Sequence, residues 1–72
     1  MNDPVKVSIQ MRDTGKVVRE DIVEYDHIDS HLMYLDYYWG MDDEARVDRK
    51  NMWVDFTMLE HRGRADIFFL KA

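Results

Sequence analysis

The 72 residues include no cysteine, one proline and three glycines. Without cysteine there is no disulfide, no thiolate metal site and no cysteine nucleophile, so packing, a partner or self-association must hold the fold. No apolar run is long enough to span a bilayer, and no apolar stretch behind a basic N-terminus reads as a secretion signal. The expected address is therefore the cytoplasm, with no membrane contact. Internal repeats, low-complexity segments and linkers are also missing. What is present is a globular composition, 46% apolar and 12% aromatic, which argues against disorder. At this length the whole chain, 1–72, reads as one small domain with one core.

Charge is distributed unevenly. From Glu20 to Asp48 ten acids face a single base, Arg46, whereas the flanks hold nine bases and five acids. The overall charge of −5 therefore hides a strongly negative middle and a positive remainder. A one-signed surface steers partners of opposite charge over about a Debye length, although it does not define a fold.

Val5, Val7, Ile9 and Met11 alternate with Lys6, Ser8, Gln10 and Arg12, the period-two signature of a half-buried strand. Asp13 to Lys16 forms a turn around Gly15, and a second strand is expected from about Lys16 to Tyr25. Val17-Val18 and Ile22-Val23 break the alternation there, which suggests a bulge near the intervening charges. Ile28, Leu32, Leu35 and Trp39 then recur at helical spacing. Asp26 or Asp29 serves as N-cap in this reading, and Asp29 would let Ile28 staple onto Met33; Gly40 is the expected stop. Met41 to Asn51 reads as a charged loop or an extra helical turn. Met52 to Met58 alternates as a third strand, Gly63 marks a turn, and Ala65 to Leu70 forms a final strand with the apolar run Ile67-Phe68-Phe69-Leu70. The expected fold is α+β: ββαββ, a four-stranded antiparallel sheet with one helix packed on one face.

One helix covers one side of a sheet. Trp53, Leu59 and Phe68 are then expected on the opposite face, with Val17 or Val23, as a homodimer or docking surface. His27 and His31 are four apart, a spacing used by zinc sites, with His61 as a third donor and Glu24 or Asp55 as further candidates. Helix-capping aspartates and half-exposed histidines explain the same residues without metal, and no cofactor is expected. No serine elbow, phosphate loop or dinucleotide fingerprint is present, so catalysis is not expected. The negative total argues against direct nucleic-acid binding.

The remaining feature is the acidic block beside exposed aromatics. Asp29, Asp36, Tyr37, Asp42, Asp43 and Glu44 are the expected contact surface for a protein with a basic, nucleic-acid-binding surface. Tyrosine would supply contact area, and the acids would supply rate and register. Binding would inhibit or modulate that partner. Size, charge and lack of a catalytic motif resemble the general character of small phage-encoded inhibitors of host defence or nucleic-acid enzymes. No residue motif carries that resemblance. A homodimeric oligomerisation module is the alternative from a different class.

Overall fold

The computed structural model describes residues 3–72. The chain forms β1 (Pro4–Met11), β2 (Val17–Glu24), a 3-10 turn (Tyr25–His27), α1 (Ile28–Gly40), β3 (Ala45–Asp48), β4 (Trp53–Thr57) and β5 (Arg62–Lys71). All five strands join one antiparallel sheet in the order β2-β1-β5-β4-β3. The expected four strands in ββαββ order are thus corrected to five in ββαβββ order. The additional strand, β3, lies inside the segment read as a charged loop. Its short alternation places Ala45 and Val47 in the core and Arg46 outside.

The first hairpin closes on Gly15, whose φ of 74° is a left-handed conformation; Met11 N–H donates to the Lys16 carbonyl and Gly15 N–H to the Met11 carbonyl. Ile9 pairs with Arg19 and Gln10 with Val17, so Val18 is the extra residue of a bulge, and it packs partly buried against the core. The β3–β4 turn is organised by Asp48, whose carboxylate accepts bonds from the main-chain N–H of Lys50 and Asn51 and from the Asn51 side chain. Those bonds, the Asn51 side chain first, hold the Asp48 carboxyl below its usual range.

The helix buries the expected stripe. Leu32, Leu35 and Trp39 are buried, and Ile28 packs partly against the same cluster. Each fully buried leucine contributes about 1.5–3 kcal/mol through area removed from water. Beneath them lie Val7, Ile9 and Met11 of β1, Ala65 and Ile67 of β5, and Val54 and Phe56 of β4. Trp39 meets Phe56 edge-on at 5.1 Å. The start of the helix differs from expectation, and its end falls at the expected residue by a different geometry. The N-cap is His27 and makes no side-chain bond, because the 3-10 turn carries the chain into the helix past Asp26. Gly40 is the last helical residue, Met41 continues in right-handed geometry, and the left-handed residue is Asp43, with φ 54°.

Register settles which phenylalanine faces which side. Phe69 pairs with Val7 and lies on the helix side; Phe68 pairs with Ser8 on the open side. Ser8 is nevertheless only 1% exposed, and its hydroxyl accepts a bond from Gln10. No helix of the described residues is long and apolar enough to cross a membrane.

Candidate functional site

Three surfaces carry chemistry, and the first is the outer side of α1. Once Leu32, Leu35 and Trp39 point inward, helical geometry sends Met33, Tyr34, Tyr37, Tyr38 and Met41 outward. Tyr37 is 72% exposed, and the other four are also exposed. His31, Tyr34 and Tyr38 form a stack along one helix edge, with ring centroids 6.2 and 6.0 Å apart and planes inclined by 26°.

The acids of the middle block divide. Asp29 stays exposed at the helix start, 3.4 Å from Arg49. Asp42, Asp43 and Glu44 are exposed in the turn beyond the helix end, where Thr57 donates from its hydroxyl to the carbonyls of Asp43 and Glu44. The helix separates these groups by about 20 Å, from 13 residues at roughly 1.5 Å each. Asp36 goes elsewhere: its carboxylate accepts the main-chain N–H of Val47 at 3.0 Å, which takes it out of the outward-facing set. Glu20 lies on the open sheet face 3.4 Å from Lys6.

Asp21 lies at the seam between β2 and α1. It receives Arg19 Nε at 2.6 Å and is 3.1 Å from His31 Nε2. Burial pushes the Asp21 carboxyl up, but the hydrogen bonds from Arg19 and His31 outweigh it and hold the group below its usual range. Ser30 donates to the His27 carbonyl, so its hydroxyl is turned back onto the helix start. His61 sits edge-on to Phe56 at 5.9 Å in the β4–β5 turn. The three histidines therefore have separate surroundings. Among the described residues the geometry that brings three ligand atoms together belongs to Glu24, Asp26 and His27, all exposed, within 4.8 Å of one another.

The open face of the sheet is the third surface. Trp53 is roofed by Arg64, whose guanidinium carbon is 3.8 Å from the ring centroid, with Arg12 at 5.4 Å. Arg64 is bonded to Asp55 at 2.9 Å and Arg12 to Asp66 at 2.6 Å. The Arg12 hydrogen bond holds the Asp66 carboxyl below its usual range. Beyond this charged lattice Phe68, Leu70 and Ile22 are exposed. Leu59 is 91% exposed but belongs to the β4–β5 turn, outside the strands that make the face. Of Trp53, Leu59 and Phe68, Phe68 alone is an uncovered apolar residue within the strands.

Sequence reasoning missed the Asp36–Val47 bond and the Asp21–Arg19–His31 contact. The charge-rich pairs were visible, but no local pattern tells which carboxylate will meet which strand. Comparison with protein-family models, curated proteins and solved structures found no match.

Proposed function

We propose that this is an interaction protein that binds a macromolecule with a basic surface through the outer face of α1, and that binding blocks or modulates the partner. The observation that carries the reading is the exposed run Met33, Tyr34, Tyr37, Tyr38 and Met41 on a helix whose inner face is already fully packed. Tyrosine and methionine are enriched at interfaces, and tyrosine gives large contact area at small entropy loss. Asp29 at one end and Asp42, Asp43 and Glu44 at the other supply negative charge, so a cationic partner is attracted and oriented along the helix. Partner chemistry of this kind includes grooves that ordinarily hold nucleic acid. Catalysis has no part in the proposal.

The test is affinity capture from native cell extract with wild type beside Tyr37→Ala and the double reversal Asp42→Lys, Asp43→Lys. The captured partner is then titrated at low and high salt. Tyr37→Ala is expected to weaken binding by about 2 kcal/mol, and the charge reversal to slow association and flatten the salt dependence. Affinity unchanged by either variant or by salt overturns the proposal. A second reading, self-association through the open sheet face, is favoured by the exposure of Ile22, Phe68 and Leu70, and sedimentation of the free protein reads it.

A further inference from the structure

The main-chain bonds of the sheet can be followed strand by strand, because antiparallel pairs alternate between residues that bond each other and residues that do not. Tyr25 N–H donates to Asp3 C=O at 3.1 Å next to the Pro4–Glu24 pair, which fixes the phase along β2. Arg19, Asp21 and Val23 thus turn their main-chain groups toward β1. Glu20 and Ile22 turn theirs outward, away from the sheet. The order β2-β1-β5-β4-β3 puts no described strand beyond β2.

We infer that this edge is a strand-addition site for an extended, cationic segment of another protein. Outward N–H and C=O groups on an edge are a template for an added strand, and side chains decide which strand is accepted. Side chains on the open face at this edge run Glu20, Ile22, Glu24, with Lys6 3.4 Å from Glu20. From Val17 to Asp29 there are five acids and one base, Arg19. A matching strand carries lysine or arginine at alternate positions flanking an apolar residue. Its other side lies over a shallow groove of about 570 Å³ whose lining includes Val23, His27, Ser30 and His31.

The same charges disfavour some pairings with a second copy of this chain. Of the antiparallel self-pairings that match outward groups, those centred on Asp21 and Ile22 oppose Asp21 to Asp21 and Glu20 to Glu24; the one centred on Glu20 opposes Glu20 to Glu20 but also sets Arg19 against Asp21 on both sides, and the one centred on Val23 opposes no like charges within the strand. Like charges directly opposite are destabilising, so the registers centred on Asp21 and Ile22 are disfavoured, whereas a lysine- or arginine-bearing strand meets opposite charge there. The site is distinct from the outer face of α1 and does not depend on the role proposed for that face.

The experiment titrates the full chain with a capped octapeptide alternating lysine and valine, with a glutamate and valine peptide as control, and follows amide exchange residue by residue. The cationic peptide is expected to slow exchange at Glu20 and Ile22 by about tenfold or more, and the anionic one to leave both unchanged. Ile22→Pro removes an outward N–H that the ladder with β1 does not use, so it should abolish binding. The double reversal Glu20→Lys, Glu24→Lys should transfer preference to the anionic peptide, which keeps the test decisive if the proline variant does not fold. Tyr37→Ala should leave peptide binding intact, separating this edge from the outer helix face. No protection, equal protection by both peptides, retained binding in a folded Ile22→Pro variant, or a sedimenting dimer with protected Glu20 and Ile22 would each overturn the inference.

Discussion

The two edges of the sheet are built differently. At β3, the main-chain bond from Thr57 N–H to the Glu44 carbonyl and the register with β4 turn the N–H of Val47 outward, and there Asp36 accepts it. The helix lies mainly against β3, so this edge is both capped and shielded. At β2, the helix lies less closely against the strand, and the His31–Asp21 contact there uses side chains only. One carboxylate therefore closes a strand edge by acting as its missing neighbour, whereas another anchors the helix and leaves the adjacent edge open. Two acids drawn from the same negative block have opposite effects on what can approach the sheet.

The largest effect that can break this contrast comes from beneath the helix. Leu35→Ala removes a fully buried side chain and should lower unfolding free energy by about 2–5 kcal/mol in a urea titration. Exchange at Val47 should accelerate more than exchange at Ile9. Smaller and more pointed is Asp36→Ala, which leaves the Val47 N–H without its acceptor and should cost about 1–3 kcal/mol. Asp36→Asn keeps an acceptor and should recover most of that loss, and neither variant should alter exchange at Ile22. Equal loss in both variants would mean that charge, rather than the capped amide, is what matters at this edge.

The smallest expected effect is on pH dependence at the β2 seam. The Asp21 carboxyl titrates lower in the folded chain than in the unfolded one, so its contribution to stability is present above the unfolded value, about 3.9. That contribution is lost as pH falls through the lower folded value. Asp21→Asn should flatten the acid limb of the stability curve. An acid limb identical to wild type would assign the dependence to other carboxylates.

Several of these elements were legible in the residue order, for identifiable reasons. Spacing from Ile28 to Trp39 repeats over three turns, and β1 alternates over eight residues, so each pattern is long enough to stand above local noise. β3 has two inward residues, Ala45 and Val47, among charges, and so short an alternation is indistinguishable from a loop until β4 supplies its partner. The helix ends at Gly40 as expected, yet the left-handed position that commonly accompanies such a stop falls on Asp43. The acidic middle was visible as composition; its division into capped, bridged and outward carboxylates depends on contacts between elements far apart in the chain. Tyr37 lies on the outer face, where the contact surface is expected, because it sits opposite the buried stripe of Leu32, Leu35 and Trp39.

The centre of the sheet joins the first strand to the last: Ile9 lies opposite Ile67, with β2, the helix and two further strands threaded between them in sequence. During synthesis the initial hairpin and the helix can appear early, but the seam uniting the two halves waits until β5 has left the ribosome. Folding should consequently be slow for so small a chain and governed by a late, all-or-none closure. A nascent polypeptide halted before Ala65 would hold two separate fragments of sheet connected only through the helix.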